Sequence, residues 1–310
     1  MTEEIKRENQ KEKKNYHIVM SGSGSRFLSF IGALSYFNET DPNFLKNIKT
    51  VIATSGGTIV GCLLSLGFNF ITIKNYLMNI DFKNFKKVEY FNIYNGYGID
   101  SGENIMNLMK NVIKKKLGYA DATLEDLYDF TGIELIFTGT CLNTYSTTYF
   151  SYKTHPNMSI VTAIRISISI PFYFTHVNYN NKVYVDGALL EYFPISKIEE
   201  LKKNNDIKQD DTIISIKLSD INENLTYRPI NNIKDFSLHV CYCVSQNLEK
   251  EKNLEIYQKH INHAENKNFH FLKLITKVNS LNLEIDKVGR QILYEDAYEA
   301  TKDYMKKKII

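Results

Sequence analysis

Tryptophan is absent from this 310-residue chain, proline occurs five times and cysteine four times. The cysteines, Cys62, Cys141, Cys241 and Cys243, include no C-x-x-C pair, and no Cys/His group has zinc-finger spacing. Small disulfide-stapled and zinc-ribbon classes are therefore excluded, and reduced, buried thiols are expected. No apolar run reaches the roughly 18 residues of a membrane-spanning helix. The first fifteen residues are charged throughout and lack the apolar stretch of a secretory signal. The expectation is a cytoplasmic protein, not secreted by a signal peptide, with only peripheral membrane contact. An excess of one charge is missing too. The 38 Lys and Arg against 35 Asp and Glu leave +3, too balanced for nucleic acid as the main partner. With 43% hydrophobic and 24% charged residues, the composition is that of a globular chain long enough to bury a sizeable core. Tyrosine (21) and phenylalanine (18) are abundant. Lys, Asn, Ile and Tyr all use A/T-rich codons, so we read their frequency as genome bias rather than chemistry.

Residues 1–15 read as a charged, flexible tail, and 16–310 as a single α/β domain with no internal repeat and a helical C-terminal part. The apolar run at 17–20 suits a buried strand and stops at Ser21-Gly22-Ser23-Gly24-Ser25. Phe27, Leu28, Phe30, Ile31, Leu34 and Phe37 then recur at helical spacing. A second strand at 50–53 passes through Thr54-Ser55-Gly56-Gly57 into another apolar helix over 58–66. Two strand, glycine-rich turn and helix units in succession predict a largely parallel sheet. Further helices are expected over 71–80, 102–117 and 159–169, the last closed by Pro171, and over 285–308. Strands are expected at 133–142 and 147–151, paired as a hairpin, and at 182–185, 213–218 and 269–274.

Three sites carry candidate chemistry. Ser55 lies where a strand turns sharply into a helix, with Ala53 two residues before it and Gly57 two after. A nucleophile elbow needs small residues at those positions, because the serine backbone is strained to expose its Oγ. An ordinary capping serine would have the same local sequence. Gly22, Ser23 and Gly24 precede a helix, where backbone N–H groups form an anion nest, and Arg26 adds a positive charge beside it. Phe27 stands at the third glycine position of a dinucleotide fingerprint, so an oxyanion hole is preferred over nucleotide binding. Asp186 ends a strand and is followed by Gly187-Ala188, which lets its carboxylate project or simply cap a turn. With each group at the C-terminal end of a strand, all three are expected along one edge of the sheet. His239, His260, His263 and His270 follow Asp186, but none occupies an obvious glycine-bounded loop. No His, Cys or carboxylate cluster has metal-site spacing.

Taken in order, these blocks resemble the patatin-like phospholipase family over residues 16–197. Gly22-Ser23-Gly24-Ser25-Arg26-Phe27 stands where the family has G-G-G-x-[RK]-G, and residues 53–57 stand where it has G-x-S-x-G. Asp186-Gly187-Ala188 matches D-G-[GA] in full. Ala163, Ser167, Pro171 and Phe174 fall where the family has A-x-x-A-S-x-A-x-P-x-x-F. Three residues depart from the pattern: Ser23 and Phe27 replace glycines of the anion loop, and Ala53 replaces the first glycine of the elbow.

The resemblance implies an α/β three-layer sandwich with a largely parallel central sheet. It implies a serine lipid acyl hydrolase of phospholipase A type, acting on phospholipids or other acyl-ester lipids without metal or cofactor. Ser55 would be the nucleophile and Asp186 the base. The oxyanion hole would come from Gly22, Ser23, Gly24 and Arg26, with Ala53 and Gly57 supporting the elbow. A free aspartate, with a pKa near 3.9, is a poor base at neutral pH, so such a dyad needs a dry site. Phe27, Leu28, Phe172 and Phe174 would suit an acyl chain, and equally a core. Two other readings remain open: a Ser–His–Asp carboxylesterase using a late histidine, and a lipid-binding protein whose turnover is impaired through Phe27 and Ser23.

Overall fold

The computed structural model describes residues 14–80, 87–220, 230, 235–237, 239–245, 247–248, 267–278 and 285–309. Its first half runs β1 (Tyr16–Met20), α1 (Phe27–Thr40), β2 (Ile48–Ala53), α2 (Gly57–Ser65), α3 (Phe70–Asn79), α4 (Asn92–Gly96), β3 (Gly98–Asp100), α5 (Glu103–Leu117) and α6 (Leu124–Thr131). There follow β4 (Glu134–Cys141), β5 (Ser146–Phe150), α7 (Ile160–Ser167), β6 (Phe172–Phe174), β7 (Val177–Tyr179) and β8 (Lys182–Asp186). The last described elements are α8 (Ser196–Lys203), β9 (Thr212–Asp220), β10 (Phe269–Thr276) and α9 (Lys287–Ile309).

An eight-stranded sheet in the order β10-β9-β1-β2-β4-β8-β7, with β5 also on β4, forms the centre. The pairs β10–β9, β9–β1, β1–β2 and β2–β4 are parallel. Every residue of β1 and β4 is buried, as strands covered on both faces require. Side chains alternate between the two faces. Ile18, Met20, Val51, Leu135 and Phe137 join the core beneath α1, α2 and α7, whereas Val19, Ile52 and Ile136 pack with Ile198 and Leu201 of α8. This gives the three layers of an α/β sandwich with a mostly parallel sheet.

The expected strands and helices form within a few residues of their predicted ends. The 133–151 stretch is the antiparallel hairpin β4–β5. The short strands β3, β6 and β7 went unread, because three residues are too few to show a period. So did α8, which buries only Ile198 and Leu201. No described helix is long and apolar enough to cross a membrane.

Candidate active site

The turn after β2 places Ser55 at φ 51°, in the left-handed region that a serine adopts only against a steric cost of about 1–3 kcal/mol. Neighbouring segments hold it there. The Ser55 N–H donates to Ser167 Oγ at 3.0 Å, and Thr58 Oγ1 donates to Ser55 O at 2.6 Å. Gly56 is bare for a reason: a Cβ there would lie 2.3 Å from Gly24 O. The two Gly/Ser turns thus touch backbone to backbone. Ala53, the last residue of β2, is fully buried between Met20 and Phe137, where a methyl is accommodated. Gly57 opens α2, whose N-terminus lies directly behind Ser55.

Ser55 Oγ donates to Asp186 Oδ2 at 2.7 Å, and Asp186 Oδ1 accepts from the Ala188 N–H at 2.8 Å. Asp186 ends a strand, as expected, but reaches the serine by a route that the local sequence does not show. It does not end a strand parallel to β2. β8 is antiparallel to β4, with Asp186 opposite Gly139. β4 pairs Phe137 with Ala53 and then continues to Cys141, past the end of β2. That overrun lets an antiparallel strand deliver its carboxylate beside Ser55. The Asp186 N–H donates to Ser169 O at 2.8 Å, so the α7 end anchors both members of the pair. Gly187 packs so closely on β4 that a Cβ would meet Thr138 Oγ1 at 2.1 Å. Burial without any cation among its described partners pushes the Asp186 carboxyl up to about 7, against the smaller downward pull of its bonds to Ala188 and Ser55.

The loop after β1 presents backbone. Gly24 is left-handed at φ 56°, and Ser23 has no positive φ, as its side chain requires. The Gly22 N–H is engaged by Tyr192 O at 2.8 Å, so of the three nest residues it holds the loop in place rather than offering its own donor. The amides of Ser23 and Gly24 have no hydrogen-bond partner among the described residues. Arg26 departs from expectation. Its guanidinium is 1% exposed and turned inward, donating to Ser23 O at 3.0 Å, Thr276 Oγ1 at 2.7 Å and Tyr192 OH at 3.3 Å. It clamps the loop from behind instead of placing charge in the site. The reason is that Thr276 of β10 and Tyr192, both distant in sequence, take its N–H groups.

Two cavities meet at Ser55. The larger has about 780 Å³ of empty space, part of it open to solvent, and its walls are apolar: Phe27, Ile59, Leu77, Ile105, Leu108 and Phe174. Phe27 is a wall of this cavity and does not close it. Leu28 belongs to the core, and Phe172 points outward. The smaller, of about 640 Å³, is bounded by Asp186, Ala188, Leu189 and Tyr192, and by Cys241, Tyr242 and Ser245 of the helical segment 239–245.

No described histidine is among the lining residues of either cavity, and the partner of Ser55 Oγ is Asp186. His239 Nδ1 sits 2.6 Å from Asp235 O, and His176 Nδ1 sits 3.0 Å from Gly96 O. His270, in β10, packs between Phe37 and Tyr304, and its burial lowers it to about 3. His260 and His263 lie outside the described residues, as do 1–13 of the charged tail. Among the described residues, no group of three or more His, Cys, Asp and Glu could hold a metal ion.

Ser167 and Ser169 were not assigned a role from sequence. The Ala163-to-Phe174 motif block was the signal that could have found them, since it contains both. Tyr192 left no such trace. Only the fold shows that it supports the anion loop.

A family model described as patatin-like phospholipase matches residues 18–197. An uncharacterised protein of Acanthamoeba polyphaga mimivirus is 28% identical over 305 residues, covering 94% of each chain. A probable lipid hydrolase of Invertebrate iridescent virus 6 is 29% identical over 205 residues, covering 64% of this chain and 68% of its own. Among solved structures, VipD from Legionella pneumophila aligns with 95% of this chain and 67% of its own, at a TM-score of 0.55 and 14% identity. The type III effector ExoU aligns with 96% of this chain and 53% of its own, at a TM-score of 0.51 and 13% identity. At these identities the two structures speak to the fold.

Proposed function

Because the chain belongs to the patatin-like phospholipase family, we propose that it is a lipid acyl hydrolase of phospholipase A type, with Ser55 as nucleophile and Asp186 as general base. The observation that carries this reading is the 2.7 Å bond to a buried carboxylate from the Oγ of Ser55, a residue that lines an apolar cavity. An acyl chain lying along Phe27, Ile59 and Leu108 brings its ester carbonyl to Ser55. Ser55 Oγ attacks the carbonyl carbon while Asp186 Oδ2 takes the hydroxyl proton. The Ser23 and Gly24 N–H groups receive the developing oxyanion, a contribution of about 3 kcal/mol per well-placed donor. The tetrahedral intermediate collapses, the lipid alcohol leaves with the proton from Asp186, and the acyl group remains on Ser55. A water molecule, deprotonated by Asp186, then releases the fatty acid. A free aspartate would be nearly useless as a base at neutral pH, whereas one lifted to about 7 is matched to the task. The name of the iridescent-virus relative, a probable lipid hydrolase, agrees with this chemistry.

The test is hydrolysis of a mixed phospholipid panel by the wild type beside Ser55→Ala. The expected result is release of fatty acid by the wild type and only background by the variant. Equal release by a folded Ser55→Ala protein removes the proposal. So does a wild type that cleaves no acyl lipid.

A further inference from the structure

Residues 90–98, Tyr-Phe-Asn-Ile-Tyr-Asn-Gly-Tyr-Gly, contain no charge, in a chain of which 24% is charged. Their aromatic side chains are not in the core. Tyr90, Phe91, Tyr94 and Tyr97 are about 70% exposed or more (72, 73, 78 and 68%). Phe172 joins them, half exposed, from the strand β6 that pairs with β3. Exposed aromatics gathered in this way mark a contact surface rather than the ordinary scatter of single apolar residues.

The backbone holds them outward. Tyr97 and Phe172 both have positive φ, 54° and 65°, a conformation that bulky L-residues rarely keep. Two contacts fix the segment, helix α4 included, in that form. The His176 N–H donates to Gly96 O at 3.1 Å, and the Tyr97 ring stacks on His176 at 5.5 Å. The surface adjoins the site. Phe172 lies between Pro171, a wall of the smaller cavity, and Tyr173 and Phe174, walls of the larger. The helical segment that walls the smaller cavity with Cys241, Tyr242 and Ser245 turns Val240 and Val244 to solvent, and Phe236, four residues before Val240, is exposed as well. Those three are spaced by four residues and make one stripe. Apolar side chains thus face outward beside both cavities.

We infer that the 90–97 segment, which contains the short helix α4, with Phe172 beside it, docks the protein on a lipid surface, so that an acyl chain passes from that surface into the Ser55 cavity. The inference rests on the lipid hydrolase reading for its choice of partner. The surface chemistry agrees with it: uncharged Tyr and Phe are the side chains that settle at a membrane–water boundary, ring in the acyl region and hydroxyl among the headgroups.

The absence of tryptophan supplies the test. In a Ser55→Ala background, where bound lipid is not consumed, Phe91→Trp introduces a single reporter in the segment. Phosphatidylcholine vesicles should shift its emission to the blue. The same reporter at Phe130, exposed at the end of α6 near the start of β4, should not respond. The combined Tyr90→Ser, Phe91→Ser and Tyr94→Ser variant should lose about tenfold or more in vesicle co-sedimentation. Its rate on a dispersed short-chain ester should stay within about twofold of wild type, which also shows that it is folded. An unchanged emission at Phe91→Trp, or undiminished sedimentation of the triple variant, overturns the inference. So does a wild-type dimer that the triple variant dissolves while vesicle binding persists, which would assign the patch to a second copy. Binding without lipid hydrolysis by the wild type would leave the docking surface standing and remove the hydrolase reading.

Discussion

The turn after β1 and the turn after β2 are both made of glycine and small hydroxyl residues, and both lead a parallel strand into a helix. They nevertheless present different chemistry to one cavity. In the first, the hydroxyls are spent on the loop itself: Ser21 Oγ donates to Gly22 O at 2.9 Å and Ser23 Oγ to Gly24 O at 3.1 Å. The amides of Ser23 and Gly24 are what remain. In the second, the amide of Ser55 is spent on Ser167, and the hydroxyl remains, directed at Asp186. A serine in a glycine-rich turn is therefore not a nucleophile by composition. The partner that takes its other polar group decides which group is left for chemistry.

The sharpest way to break this contrast is through the group that claims the second hydroxyl. Asp186→Asn keeps the size and hydrogen-bonding shape of the side chain but cannot accept a proton, and kcat should fall by about 10²–10⁴. His239→Ala, His260→Ala, His263→Ala and His270→Ala should each cost far less. A folded histidine variant as damaged as Asp186→Asn would replace the dyad with a triad. The pH profile has a definite sign. As the proposed base Asp186 must be ionised, and burial raises it to about 7, so kcat/KM should fall about tenfold per unit below that pH and level off above it. Activity that persists undiminished well below pH 6 would assign the base to another group.

The first turn is tested through its conformation. Gly24→Ala places a Cβ on a residue at φ 56°, which tips the adjoining amides away from the oxyanion position. The expected loss in kcat is at least about tenfold and at most the 10²–10³ of a deleted oxyanion donor, with KM little changed. A rise in KM alone would show that the loop binds lipid rather than stabilising charge.

The smallest effect belongs to Ser167, which shares the Ser55 amide and touches no substrate cavity. Removing this one hydrogen bond should cost about 0.5–1.5 kcal/mol, or up to about tenfold in kcat. Ser167→Thr should restore most of it by returning the hydroxyl, whereas Ser167→Ala should not. A change in thermal stability with no change in kcat would make Ser167 structural only.

The elements legible in the sequence were those with a local cause. β1, β2 and β4 each hold a short apolar run, at 18–20, 51–53 and 135–137, and the α1 stripe repeats at helical spacing. The small residues around Ser55 follow from the sharpness of a strand-to-helix turn, whereas the reason for Gly187, its close packing on Thr138, is not local. Arg26 was misread for the opposite reason. Its place in the loop is local, but the direction of its side chain depends on Thr276, 250 residues away along the chain. The aromatic run at 90–97 is plain in the sequence as composition, but its short helix and its exposure are not, since clustered Tyr and Phe serve a core as readily as a surface.

Residue types and short-range backbone geometry were enough to mark the Ser55 turn, the Gly/Ser loop and Asp186. These depend on sterics within a few residues, which the sequence states directly. The tertiary structure alone decided that Asp186 arrives on an antiparallel strand, that its oxygen lies 2.7 Å from a serine 131 positions away, and that it is dry enough to titrate near 7. Strand direction, long-range contact and burial belong to the packed sheet as a whole, and no window of the chain contains them.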